Sequence, residues 1–447
     1  MVWTPCAEGA EIGMECASLD VPVDPAEPDG RRITLQLGRL PATGPSDGSV
    51  LTNFGGPGPS GILMLSKMTH SAFTALRERM DIVTWDPRGY GGPFGGRSTA
   101  LDCDWSGLVR LTPPYPQDQA AFDEQAATNR TAATACRDTD PALFDHMDSA
   151  SNAWDMEEIR QSLGEPELNF YGSSYGGMYG QAYARLFPDR IRTMVLDGTS
   201  NHSTDDWAGE LDALARDQEA LFQRFVDWCE AEPSCALHGS DVGDRWRRLV
   251  AQAERTPEPA PAVDARYSGR DLQTLAMNPI RQGPERWPAL ADAVAAAEQG
   301  DASGFAPPGS RTPYPAIGTP GVTECLEFPN FADVGELTAT VDRIRTVAPN
   351  TGASFPLVAH IVTCIGWPAP LSNPPAPLPA GVPPLLGAGT WSDFPGTNRV
   401  TEQVPGSVSI FHDGPGHVLY ASGNACVIEH ANRYFLEKDL PPEGTTC

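Results

Sequence analysis

The chain has 447 residues with 44 Gly, 44 Pro and 10 Cys, and 58 acidic against 31 basic residues leave a formal charge of −27. That balance argues against a nucleic-acid backbone or an anionic membrane surface as partner, since both repel an acidic protein. A hydrophobic content of 40% with 20% charged residues fits a chain that buries a large core, and no apolar run reaches the ~18 residues of a membrane span.

Met1-Val2-Trp3-Thr4-Pro5 lacks the basic head and apolar stretch of a secretory leader. Met1 therefore reads as a native start, or as a start placed where a leader was removed. Residues 31–40 alternate apolar and polar side chains and predict a half-exposed strand. Ser49 to Phe54 predicts a second strand, which runs into Gly55-Gly56-Pro57-Gly58-Pro59-Ser60-Gly61. Asp81 to Trp85 predicts a third, ending in Asp86-Pro87-Arg88-Gly89-Tyr90-Gly91. Leu168 to Tyr171 is short and apolar and turns at Gly172 into a helical stretch from about Met178 to Phe187. Ile191 to Leu196 follows as a buried strand. Strands alternating with helices predict an α/β protein with a mostly parallel sheet.

From about Asp205 to Gly300 the helical period dominates, punctuated by a Pro-rich run from Glu254 to Val263. A second Pro-rich run, Trp367 to Pro384, precedes two strands, Leu385 to Gly389 and Ser407 to Phe411, and a closing helix from Ala425 to Leu436. The layout expected is a core over residues 1–200 and 371–447, with a helical cap insertion over 201–370.

No two of the ten cysteines form a Cys-x-x-Cys pair, which argues against zinc-ribbon and thioredoxin-like sites. An even count spread along the chain predicts five disulfides; sequence alone does not choose among the possible pairings, and the one expected joins sequence neighbours: Cys6–Cys16, Cys103–Cys136, Cys229–Cys235, Cys325–Cys364 and Cys426–Cys447. Disulfides on that scale imply an oxidising compartment, and hence a secreted protein; a cytoplasmic protein with reduced thiols is the alternative.

Gly172-Ser173-Ser174-Tyr175-Gly176 matches Gly-x-Ser-x-Gly, the nucleophile elbow, with a strand before it and a helix after it. Ser174 takes the nucleophile position between the two glycines. A serine hydroxyl needs a base, and His417 in Gly414-Pro415-Gly416-His417, just beyond the last expected strand, has the right place in chain order; His412 is the fallback. His70, His146, His202, His238, His360 and His430 lack that loop context. The oxyanion of an acyl-transfer step needs donors. The backbone N–H of Tyr175 is one, and Gly56, in the glycine-rich turn after the second strand, is the other.

These pieces resemble the α/β-hydrolase superfamily and, more narrowly, the secreted tripeptidyl aminopeptidase-like enzymes of actinobacteria, relatives of prolyl aminopeptidases. The residues that carry the likeness are Gly55 to Gly61, Asp86 to Gly91, Gly172 to Gly177 and Val195-Leu196-Asp197-Gly198. Cys364 to Pro368, Gly414 to His417, the tail Pro442 to Cys447 and the Trp3-x-x-Cys6 start extend it over nearly the whole chain. The resemblance implies an α/β-hydrolase fold and serine chemistry. No metal or organic cofactor is expected, since the sequence has neither His-Glu-x-x-His nor Gly-x-x-x-x-Gly-Lys and serine chemistry needs none. The resemblance also implies a triad acid after the penultimate strand. A gapless match puts Ser392 at that position and Asp393 one residue later. Asp393 is the expected acid, with Asp197 as the alternative; Asp413 is too close to His417. In aminopeptidases of this type, cap carboxylates hold the substrate's free α-amino group, for which Glu324, Glu327, Asp205 and Asp206 are the candidates.

The function expected is a serine hydrolase working through an acyl-enzyme, an exopeptidase that releases short N-terminal peptides. An esterase or lactonase tailoring a natural product, or a non-hydrolytic cyclase or binding protein on the same fold, are the alternatives. The expected partner is a small peptide or ester substrate.

Overall fold

The computed structural model describes residues 1–68, 72–105, 116–307, 309, 321–352 and 362–447; His70 and His360 lie outside them. Its sheet-forming strands are β1 (Thr4–Pro5), β2 (Glu15–Pro22), β3 (Arg32–Leu40), β4 (Ser49–Asn53), β5 (Asp81–Trp85), β6 (Leu168–Ser173) and β7 (Ile191–Asp197). After β8 (Glu258–Ala260) and β9 (Ala265–Tyr267), which pair only with each other, come β10 (Leu386–Gly389) and β11 (Val408–Phe411). The large sheet has nine strands in the order β1-β2-β3-β5-β4-β6-β7-β10-β11. β2 pairs antiparallel with β3, and β3 with β5, while every pairing from β5 to β11 is parallel.

The parallel strands read as continuous apolar runs because both faces of the sheet are covered. Successive residues enter opposite cores: Leu51, Val83, Phe170, Met194 and Leu196 belong to one buried cluster, Val50, Ile82, Tyr171 and Val195 to the other. Burying a side chain of this size contributes roughly 1.5–3 kcal/mol, so the strand centres anchor the frame. Their carboxyl ends share one edge, and there the chain leaves the sheet at Phe54, Asp86, Ser174, Gly198, Thr390 and His412.

Between β7 and β10 the chain runs through the helices Trp207–Ala231, Val242–Arg255, Gly269–Gln282, Trp287–Ala297, Val322–Glu327 and Val334–Val347. The first four bury their apolar faces in a separate cluster that includes Phe222, Trp246, Leu272 and Trp287. Val322 and Leu326, by contrast, pack into the core of the main sheet. The Pro-rich run near Glu254 is more than punctuation, since Glu258–Ala260 pairs with Ala265–Tyr267 in a small hairpin.

β2 is absent from the sequence-based expectation, although Ala17, Leu19 and Val21 alternate with Cys16, Ser18 and Asp20. The elbow helix spans Tyr175–Leu186, beginning three residues earlier than the hydrophobic period suggests. The five disulfides join the expected neighbours, Cys6–Cys16, Cys103–Cys136, Cys229–Cys235, Cys325–Cys364 and Cys426–Cys447.

Candidate active site

β6 delivers the chain to Ser174, whose φ of 53° and ψ of −125° lie where side-chain-bearing residues are rarely found. Two hydrogen bonds hold that conformation: Ser174 N–H donates to the Asp197 carbonyl at 2.9 Å, and Gly177 N–H to the Ser174 carbonyl at 3.0 Å. The flanking glycines are demanded by space. A Cβ on Gly172 would fall 2.5 Å from the Gly176 carbonyl oxygen, and one on Gly176 would fall 2.3 Å from that of Asn53. The turn is therefore compressed between its own helix and the end of β4, which projects the serine above the sheet edge.

The glycine turn after β4 lies against this elbow. A Cβ on Gly55 would fall 2.7 Å from Tyr175 N and 2.8 Å from Ser174 Cβ. Gly55 N–H is taken by Asn53 Oδ1 at 2.9 Å, so Gly56 carries the next N–H of the turn. Tyr179 OH donates to the Pro57 carbonyl at 3.0 Å and fixes the far side. Tyr175 N–H opens the elbow helix, where the first N–H groups have no intrahelical acceptor. Gly56 and Tyr175 thus stand on adjoining pieces of backbone.

The acid and the histidine meet directly. Asp393 Oδ2 accepts from His417 Nδ1 at 2.7 Å and from Val418 N–H at 3.3 Å. Its Oδ1 accepts from Thr390 N–H at 2.6 Å and Thr390 Oγ1 at 3.0 Å. The Asp393 side chain is 8% exposed and that of His417 56%, so the acid is enclosed while the ring faces outward. Burial pushes the Asp393 carboxyl up, but the His417 ring and the Thr390 and Val418 N–H groups outweigh it and hold the carboxyl below its ordinary value. Ser392, where the gapless match places the acid, instead donates to the Gly416 carbonyl at 2.9 Å and props the histidine loop.

Asp197 is occupied elsewhere. It accepts Tyr171 OH at 2.8 Å, Leu419 N–H at 2.8 Å and Tyr420 N–H at 2.8 Å. It is fully buried, and burial raises its carboxyl to about 6 despite those bonds. His412 bonds through Nδ1 to the Cys447 carbonyl at 3.0 Å, and Asp413 accepts Trp391 Nε1 at 2.7 Å.

Of the four acids singled out for amine binding, Glu327 bonds the elbow and Glu324 lies on the same short helix. Glu327, fully buried, accepts from the Tyr175 hydroxyl and the Ser149 N–H, and from Asn373 Nδ2 at 3.0 Å. Burial raises its carboxyl to about 7, against the pull of those donors. Glu324, also buried on the helix Val322–Glu327, helps to hold the Tyr175 hydroxyl protonated, after burial and Glu327. Asp206 instead caps the helix Trp207–Ala231 by accepting Gly209 N–H at 2.9 Å, and Asp205 is exposed. The Glu327–Tyr175 contact spans 152 positions and leaves no local signature.

An elbow serine at the carboxyl edge of a mostly parallel sheet, with a carboxylate-bound histidine on a loop of the same edge, defines a serine hydrolase. Residues 55–304 match the family model described as alpha/beta hydrolase fold, and residues 353–447 match one described as TAP-like protein. The chain is 30% identical over 480 residues to the serine protease Hip1 of Mycobacterium tuberculosis, covering 100% of this chain and 90% of that one. It is also 30% identical over 476 residues to carboxylesterase B of the same species, covering 100% and 89%. The tripeptidyl aminopeptidase of Streptomyces lividans is 32% identical over 272 residues, covering 57% of this chain and 49% of that one. The chain belongs to the alpha/beta hydrolase family.

Proposed function

We propose that the protein is a secreted serine exopeptidase that removes short peptides from free N-termini, with Ser174 as nucleophile, His417 as general base and acid, and Asp393 orienting the imidazole. Ser174 Oγ attacks the scissile carbonyl while His417 takes its proton. The oxyanion is held by the N–H groups of Gly56 and Tyr175, each worth roughly 2.7–4 kcal/mol of barrier. His417 then protonates the leaving amine, and water, activated by the same ring, releases the acyl group. Asp393 stabilises the imidazolium through the 2.7 Å bond to Nδ1.

What carries the peptidase reading is the Glu327 carboxylate bonded to the Tyr175 hydroxyl, with Glu324 nearby on the same short helix. A substrate ammonium is costly to desolvate without a carboxylate, and beside Glu327, raised to about 7 by burial, it would favour the ionised form of that group. The likenesses to a serine protease and a tripeptidyl aminopeptidase support the same reading. Secretion is supported by the five disulfides. An esterase is the second reading, favoured by the full-length likeness to carboxylesterase B.

The test is fluorophosphonate labelling with the adduct mapped by peptide mass spectrometry, followed by cleavage of matched peptides with free and acetylated N-termini. We expect an adduct on Ser174, cleavage of the free peptides and protection of the acetylated ones. Ester turnover with no peptide turnover favours the second reading, and equal cleavage of the free and acetylated peptides overturns the requirement for a free N-terminus. A folded wild type that takes no label overturns the Ser174 assignment.

A further inference from the structure

The helix Gly269–Gln282 ends beside the histidine loop. Gly283 N–H bonds the Ile280 carbonyl at 3.2 Å, and Arg286 N–H bonds the Gly283 carbonyl at 2.9 Å, closing a tight turn. Trp287 Nε1 buttresses it by donating to the Ile280 carbonyl at 3.2 Å. A Cβ on Gly283 would fall 2.6 Å from Pro415 Cβ and Cγ, so the turn touches the loop two residues before His417. Trp287 also stacks on Trp391, two residues before Asp393, with ring centroids 6.1 Å apart and planes 19° apart. Arg281 is thus carried on a turn docked against both loops that bear the acid and the histidine.

Two properties of Arg281 stand out. Its side chain is exposed to solvent, yet desolvation lowers its pKa, with Asp393 as the opposing charge. The docked turn and the opposing charge of Asp393 place the guanidinium beside the acid and histidine loops, on a side open to solvent. In addition, Arg281 makes no hydrogen bond or ion pair among the described residues. Asp393 does not supply one, because its oxygens already accept from His417, Val418 and Thr390. In a chain of charge −27, a guanidinium with no bonded carboxylate among the described residues is open to an anion. Desolvation without a partner is unfavourable, and the planar fork matches a carboxylate bidentately.

The side of the site follows from the chemistry. The histidine protonates the leaving group, so a wall packed on the histidine loop faces the part of the substrate beyond the scissile bond. We infer that Arg281 is a specificity-determining residue that receives a carboxylate on the leaving-group residue. That carboxylate is either an acidic side chain or the α-carboxylate of a peptide ending there. The inference rests on the exopeptidase reading and names its preferred substrates.

The experiment uses four peptides with one free-amine acyl segment and the leaving residues Asp-amide, Ala free acid, Ala-amide and Lys-amide. For the wild type, kcat/KM for at least one carboxylate-bearing peptide should exceed that for Ala-amide about tenfold, mostly through KM, as one charge-assisted pair provides. Preference for the Ala free acid alone identifies the α-carboxylate, and preference for Asp-amide alone the side chain. The acid-to-neutral ratio should fall to about one in R281Q, survive in part in R281K and swing towards Lys-amide in R281E. It should also shrink in the wild type between about 0.05 and 1 M NaCl, a readout independent of how the variants fold. Cleavage without preference, or a preference unmoved by R281Q, R281E and salt, overturns the inference alone. If none of the four is cleaved while Ser174 still takes the fluorophosphonate, the exopeptidase reading falls and takes the inference with it.

Discussion

Asp197 accepts the backbone N–H of Leu419 at 2.8 Å, two residues beyond His417, and that of Tyr420 at the same distance. The carboxylate that ends β7 thus organises the chain leaving the histidine, while the carboxylate after β10 contacts the imidazole at 2.7 Å. Two acids at the same sheet edge divide the work: one sets the loop and the other faces the ring.

The division separates two variants. Asp393→Asn leaves an amide against Nδ1 and favours the wrong tautomer, so kcat should fall about 10³–10⁴-fold with folding largely preserved. Asp197→Asn keeps an acceptor for Leu419 N–H or Tyr420 N–H and should lower kcat by no more than about tenfold, mainly through a looser histidine loop. Steady-state kinetics on both variants checks the order, and a larger loss in Asp197→Asn would move the triad acid to that position.

The elbow glycines give a prediction about stability as well as rate. A methyl on Gly176 would lie 2.3 Å from the Asn53 carbonyl oxygen, which is backbone at the end of β4 and has little room to retreat. Gly176→Ala should cost about 1–3 kcal/mol of stability, as overpacking does, and lower turnover by widening the gap between Tyr175 and the Gly55–Gly56 turn. Ser174→Ala should melt near the wild type and be inactive. Denaturant midpoints and turnover measured together distinguish the two; a Gly176→Ala protein as stable and active as the wild type would show that the turn is not compressed.

The sequence made legible what the chemistry requires to be contiguous. The strand, Gly172, Ser174, Gly176 and the helix after them sit within one short segment, and the apolar runs of β4 to β7 follow from burial on both faces. The number of disulfides is legible in the even cysteine count but their connectivity is not, and the structure joins each cysteine to its nearest neighbour in sequence. The acid was ambiguous because Asp197 and Asp393 both follow sheet strands. The Tyr171 hydroxyl, the N–H groups of Leu419 and Tyr420, more than 200 positions from Asp197, and the bond from His417 to Asp393 decide between them. Glu327 and Arg281 were harder still: what distinguishes them is a partner, or the lack of one, set by packing between distant segments.

The C-terminal tail is a separate structural element of the edge. Cys447 N–H bonds the Phe411 carbonyl at 2.9 Å, Phe411 N–H bonds the Thr445 carbonyl at 3.3 Å, and His412 Nδ1 contacts the Cys447 carbonyl at 3.0 Å. The tail therefore covers the open side of β11, which leads into the histidine loop. Replacing Cys426 and Cys447 by Ser together should cost roughly 3 kcal/mol, the loop-closure value for a bridge over 21 residues. Amide exchange should then speed up at Phe411 before it does in β6 or β7. Unchanged protection at Phe411 would mean that the backbone bonds hold the tail without the bridge.

Glu327 makes stability depend on pH in a direction opposite to that of an ion-paired carboxylate. Its carboxyl is raised from 4.5 to about 7, chiefly by burial, whereas in the unfolded chain it ionises near the ordinary value. Between those limits the native state holds more protons than the unfolded one, so raising the pH favours unfolding. The contribution is fully present below about pH 4.5 and is lost as pH rises through about 7, on the order of 3 kcal/mol at 1.36 kcal/mol per unit. Glu327→Gln mimics the protonated acid at every pH, so the stability of the wild type relative to this variant should decline by that amount between pH 4.5 and 7.5. Asp197, raised to about 6 by burial, titrates in the same range but is common to both proteins and cancels in the difference. Urea unfolding of the pair at three pH values reads it, and parallel stability curves would show that the Tyr175 hydroxyl and the Ser149 N–H keep Glu327 ionised throughout.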